Sequence, residues 1–254
     1  MKSKHLLIVA ALAVALQFTA SAQTNVPGTN AVAAAVHVNN AIGLAKHKGQ
    51  RTDDVLAHAK AAPGDYDIEF IGDSITQGWE NPAPKGGKNV WADFYGKRKV
   101  INMGVSGDRT ENVLWRFENG QLDGIKAKVA VVMIGTNNSG KGRNTPDEIL
   151  AGVVAVLNQI RTRQPDTKIL LLSIFPRSAT FSDQRGDLLQ VNQALAKLDD
   201  GKNLFYLDFG SQLIEADGSI SKSIMPDALH PNETGYKIWA NATEPKLKEL
   251  LGEK

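Results

Sequence analysis

Short apolar runs alternating with longer amphipathic ones predict an α/β protein, a three-layer α/β/α sandwich around a five-stranded parallel sheet. Two observations carry that prediction. Five strand-like runs recur between helical ones, and several are apolar throughout, as strands covered on both faces must be. The composition agrees with a single domain of the larger kind, about 230 residues once a leader is removed.

Residues 1–22 read as a secretory signal: Lys2 and Lys4 give the positive start, Leu6 to Leu16 the apolar run, and Ala20-Ser21-Ala22 the cleavage pattern. A secreted or periplasmic protein cut after Ala22 is therefore expected, without a membrane anchor, because the apolar run is too short to span a bilayer. Residues 23–50 are rich in Asn, Ala and Thr and predict a loosely packed extension, with a short helix near Val32–Val38. The main folded domain is placed over 51–254. It begins with a short helix capped by Thr52-Asp53-Asp54 and stopped by Pro63-Gly64.

Tyr66 to Ile71 alternates polar and apolar residues and ends on an apolar pair, the mark of a first strand. Val100 to Met103 is the second strand, followed by Gly104 and a helix from about Arg109 to Glu118. Val129 to Ile134 is the third, ended by Gly135, and Pro146 to Arg163 is a helix with proline in its first turn. Lys168 to Ile174, Gly186 to Leu198 and Leu204 to Leu207 supply strand, helix and strand. A closing helix spans Glu233 to Leu251, with a break expected at Pro245.

Ligands of open parallel sheets lie beyond the carboxyl ends of the strands. Ser74, Gly104 and Asn137 each fall just after such an end. Gly72 permits a sharp turn after the first strand, so Asp73 and Ser74 open a helix, where free N–H groups favour developing negative charge. Alone, an Asp-Ser pair after glycine only caps a helix. Far downstream, Asp227-Ala228-Leu229-His230-Pro231 sets a carboxylate three residues before an imidazole, which can fix its tautomer and leave the other nitrogen for a serine.

The chain has five histidines. His5 leaves with the signal, His37 and His47 lie in the weakly patterned extension, and His58 suits surface or packing on a short helix. His230 is the base that remains for a serine nucleophile. Thr76 stands two residues after Ser74, so the stretch is not a Gly-x-Ser-x-Gly elbow. No phosphate-binding Gly-x-x-x-x-Gly-Lys-Ser/Thr occurs.

Cysteine is absent, which excludes a lipidated lipoprotein, disulfides and cysteine metal sites; no metal site and no cofactor are read. With Lys2 and Lys4 gone, the 29 basic residues fall to match the 27 acidic ones, so no nucleic-acid partner is expected. The oligomeric state is left open.

Four blocks in order make the chain resemble the GDSL, or SGNH, hydrolase family. Gly72-Asp73-Ser74-Ile75 matches the first, with Ile where Leu is usual. Gly104, in Asn102 to Asp108, matches the second, Gly135-Thr136-Asn137-Asn138 the third, and Asp227 to Pro231 the last. Asn138 replaces the usual Asp, as in the branch that resembles the platelet-activating-factor acetylhydrolase catalytic subunits. Val113 to Arg116 and Thr162 to Pro165 also look like that branch.

The resemblance implies Ser74 as nucleophile, His230 as base and then acid, and Asp227 as the orienting carboxylate. It also implies an oxyanion hole from the Ser74 and Gly104 N–H groups and the Asn137 amide. The expected function is a serine esterase for short, acetyl-like acyl groups, because the intervals between blocks hold no inserted lid. The expected partner is a small-molecule or O-acetylated carbohydrate ester. Asp73, Arg177 and Trp79 are candidate substrate contacts: Arg177 for a polar leaving group, Trp79, with Trp91, for stacking on a sugar. Alternatives are a lipid esterase, lysophospholipase or thioesterase of the same mechanism, a non-catalytic carbohydrate-binding protein, and a flavodoxin-like cofactor binder, which shares the sheet but leaves Asp227 and His230 unexplained.

Overall fold

Gly64–Gly72, Val100–Asn102, Ile125–Met133, Lys168–Leu172 and Leu204–Leu207 form strands β1 to β5 of one sheet, with neighbours in the order β2-β1-β3-β4-β5 and every pair parallel. The chain passes from β1 outward to β2, then returns across β1 to β3. Its direction of winding therefore reverses at β1, and the crevice beyond β1 and β3 is where such sheets take ligands. This computed structural model describes residues 38–253. The expected leader and the expected helix near Val32–Val38 fall outside them, apart from Val38 itself.

The helices are α1 Gln50–Ala61, the single turn α2 Ser74–Gln77, α3 Lys88–Tyr95, α4 Thr110–Glu118, α5 Pro146–Arg163, α6 Asp183–Leu195 and α7 Glu233–Leu251. Two apolar clusters lie on opposite faces of the sheet. One joins Ile71, Val132 and Leu171 to Ala59 of α1, Phe117 of α4, Val153 of α5 and Val191 of α6. The other joins Phe70, Val131 and Leu170 to Tyr95 of α3 and Trp239 and Leu247 of α7. Adjacent residues Phe70 and Ile71 thus serve opposite faces, as the strand period demands. The three-layer architecture read from the apolar strands is present.

Departures from the sequence reading are local. β3 begins four residues earlier than expected, because Lys126 and Lys128 are exposed at its amino end and break the apolar run. α3 was not expected; it supplies Trp91 and Tyr95 to an aromatic cluster that also holds Phe70 and Trp79. α7 continues through Pro245 without the expected break.

The end of the expected loose extension is packed. Ala41 is fully buried, and its carbonyl accepts Thr110 Oγ1 at 2.7 Å. Asn112 Nδ2 donates to Ala45 O at 2.7 Å, so residues 41–45 are fastened along the start of α4. These contacts satisfy backbone groups that a composition count treats as solvated.

Candidate active site

β1 delivers Ser74 to the crevice. Gly72 closes the strand, Asp73 Oδ1 accepts the Ile75 N–H at 2.9 Å, and α2 begins at the serine. The Ser74 N–H lies in the first helical turn, where no intrahelical acceptor exists. Tyr236 of α7 donates its hydroxyl to Ile75 O at 2.7 Å and fixes the turn from behind.

The turn before α7 brings the imidazole. Ser74 Oγ lies 2.9 Å from His230 Nε2, and His230 Nδ1 lies 2.6 Å from Asp227 Oδ2. Asp227 Oδ1 accepts the backbone N–H groups of Leu229 at 3.1 Å and His230 at 2.8 Å. Partial burial pulls the Asp227 carboxyl upward, but the ring and backbone donors outweigh it and hold the group below its ordinary value. A carboxylate, an imidazole and a hydroxyl are thus joined in one hydrogen-bonded chain, which can move a proton off the serine.

Asn137 follows β3 in a short 3-10 turn, Thr136–Asn138. Its Nδ2 donates to Asp108 O at 2.9 Å, which fixes the amide and leaves its second N–H for another acceptor. Asn138, the departure from the family's Asp, is fully buried and accepts the Thr110 N–H at 3.0 Å; its amide donates to Glu111 Oε2 at 3.0 Å. An acid here would confront Glu111 instead of bonding it.

Gly104 does not keep the open N–H expected of it. That N–H donates to Asn102 Oδ1 at 2.9 Å, and a Cβ at the position would come within 2.3 Å of Gln77 N. The glycine is a close-approach point between loop and α2, not an exposed donor. Three residues on, Gly107 is exposed with φ +82, and its N–H has no partner among the described residues. The second glycine of the block, in Ser106-Gly107-Asp108, was the signal available in the sequence.

The candidate substrate contacts divide. Trp79 is fully buried, 4.5 Å between ring centroids from Tyr236 and 5.0 Å from Trp239, so it packs the core and stacks on no sugar. Asp73 is also buried: it is a helix cap whose Oδ2 has no protein partner, and burial pushes its carboxyl up to about 7. Neither side chain is placed to meet a substrate. Arg177 is half-buried and donates from Nη1 to Thr136 O at 3.0 Å and Thr136 Oγ1 at 3.1 Å, beside the Asn137 turn.

The GDSL-like lipase/acylhydrolase family model matches residues 70–238. Platelet-activating factor acetylhydrolase IB subunit alpha2 of Rattus norvegicus is 35% identical over 188 residues, 74% of this chain and 78% of that protein. Among solved structures, a GDSL-like lipase from Bacteroides thetaiotaomicron superposes with TM-score 0.64 at 18% identity, covering 78% of this chain and 97% of that one. A mutant of an acetylxylan esterase from Geobacillus stearothermophilus gives TM-score 0.54 at 19% identity, over 74% and 95%. Such low identities speak for the fold alone.

The expected secreted or periplasmic address is corrected by the curated relatives alone, the platelet-activating factor acetylhydrolase subunits, which are intracellular. Among the described residues no helix is long and apolar enough to cross a membrane. With the family model matching about two thirds of this chain and the alignment to the acetylhydrolase subunits covering about three quarters of it, the chain belongs to the GDSL-like lipase/acylhydrolase family and is an ester-hydrolysing enzyme.

Proposed function

We propose that this enzyme hydrolyses short-chain acyl esters, acetyl esters above all, through an acyl-enzyme formed on Ser74. The single observation that carries the reading is the chain Ser74 Oγ, His230 Nε2, His230 Nδ1, Asp227 Oδ2, with links of 2.9 and 2.6 Å. His230 takes the serine proton as Oγ attacks the ester carbonyl, then gives it to the departing alcohol. Asp227 holds the tautomer and the resulting imidazolium. Water repeats the sequence and releases the acid. The oxyanion is received by the Ser74 N–H, the second Asn137 N–H and, in place of Gly104, the Gly107 N–H.

Two observations favour a small acyl group: the short intervals between the blocks, and a relative, 35% identical, whose name records an acetylhydrolase. Arg177 at the rim suits a polar alcohol, such as that of an O-acetylated carbohydrate. A second reading, a lipid esterase or thioesterase, has one observation in its favour. A largely apolar cavity of about 370 Å³ opens behind the Arg177 loop, lined by Ile174, Pro176, Phe181, Leu188, Leu189 and Ile214 among others. An ester panel decides between them. Turnover should be greatest for p-nitrophenyl acetate and vanish in Ser74→Ala; a preference for octanoyl or longer chains overturns the acetyl reading and favours the second.

A further inference from the structure

His47 lies in a stretch whose composition marks it as extension, yet its ring closes the loop after β2. Its Nδ1 is 2.7 Å from Asp108 Oδ1, and Asp108 Oδ2 accepts Arg116 Nε at 2.9 Å, with Nη2 in ion-pair contact at 2.8 Å. The Asp108 and Arg116 side chains are fully buried, whereas His47 keeps about a third of its surface exposed. The imidazole is the outer end of a buried charged chain.

That chain ends on the oxyanion donors. The Asp108 carbonyl accepts Asn137 Nδ2 at 2.9 Å, so main chain and side chain of one residue join His47 to Asn137. A Cβ on Gly107 would stand 2.8 Å from His47 Cε1, so the ring packs directly on the glycine. Gly107 has φ +82 and no side chain, and needs holding from both sides. On one side Ser106 donates its N–H to Gln77 Oε1 of α2 at 2.7 Å. On the other stands Asp108.

We propose that His47 is a positioning residue for ester hydrolysis, one that fixes the Gly107 N–H and, through Asp108, the Asn137 amide where the oxyanion forms. This rests on the reading of Ser74 and its oxyanion donors given above. The Nδ1–H satisfies a carboxylate oxygen that would otherwise drag its loop toward water. The ring itself blocks the outward swing of Gly107. Among the described residues the polar partner of His47 is Asp108, and those of the His230 ring are Ser74 and Asp227, so the effect of His47 passes through geometry.

Removal of an oxyanion donor costs about 10²–10³ in kcat, and loosening two donors should cost about tenfold or more. Three variants isolate the cause, assayed on p-nitrophenyl acetate with a reversible arylboronic acid as tetrahedral mimic. His47→Ala and His47→Phe should lower kcat with KM within about twofold, and weaken the boronate in the same ratio as kcat/KM. His47→Asn, which sets an amide N–H where Nδ1 was, should recover most of the loss. Full activity in the Phe variant would reduce the role to packing and overturn the proposal, as would an unchanged kcat in the Ala variant or no recovery in the Asn variant. If Ala does not fold, the Phe and Asn pair still decides. Ser74→Ala in the same series separates the two readings. Surviving turnover there defeats the nucleophile, whereas its loss alongside indifferent His47 variants defeats only this inference.

Discussion

Ser74 Oγ and His230 Nε2 stand 2.9 Å apart although 156 residues separate them in the chain. The contact exists because β1 and α7 share a sheet end: Ser74 follows the strand, and His230 sits three residues before the helix that packs beneath it. Tyr236 reinforces the arrangement by binding Ile75 O from the same helix.

Asp227→Asn should leave that contact in place while offering the imidazole an amide instead of a carboxylate. The expected loss in kcat is about 10²–10⁴, with the lower part of the range favoured by the exposed Asp227 side chain, which water partly replaces. Steady-state kinetics with unchanged circular dichroism is the check; a loss confined to KM contradicts the orienting role.

Asn137→Ala removes one of the proposed oxyanion donors and frees the Asp108 carbonyl. A fall in kcat of about 10²–10³ at nearly constant KM is expected. The reverse split, a raised KM with kcat preserved, would move Asn137 to ground-state binding.

Glu69, in the middle of β1, is fully buried; its Oε1 has no partner, and Oε2 has only Gln164 Nε2 at 3.4 Å. Burial pushes its carboxyl from 4.5 up to about 8. The native state therefore keeps a proton that the unfolded chain releases above its lower pKa. The native advantage is whole below that lower value and drains away as pH climbs to about 8, by at most about 1.4 kcal/mol per unit. Glu69→Gln cannot ionise, so its melting temperature should match wild type near pH 5 and exceed it near pH 8. Parallel curves across that window would show that Glu69 stays charged when folded.

Ala228 and Ser178 both lie in the left-handed region, at φ +56 and +70, and the Ser178 N–H donates to Ala228 O at 3.0 Å. This joint ties the loop of Arg177 to the turn that carries Asp227 and His230. Ala228→Gly relieves a clash worth about 1–2 kcal/mol against about 0.5–1 kcal/mol of added chain entropy. A small net gain in unfolding free energy, up to about 1 kcal/mol, is expected in denaturant titration. A clear loss would mean that the alanine methyl packs usefully at the joint.

The sequence by itself determined the architecture and pointed to the groups of the proposed reaction. Apolar runs with no polar alternation, such as Val129 to Ile134, have no stable place except between two layers of helices, so they specify a parallel sheet. Asp227 and His230 are three residues apart, and their mutual reach follows from local chain geometry. Only the tertiary structure decided which neighbours of these groups are free to act. Gly104 and Gly107 are equal on paper, but Asn102 claims one N–H and leaves the other. Trp79 follows Ser74 closely and is nonetheless walled in by α3 and α7, while His47, remote and unpatterned, is carried onto the loop of Gly107 and Asp108. Burial and hydrogen-bond occupancy are properties of contacts between distant segments, and no local pattern of residues encodes them.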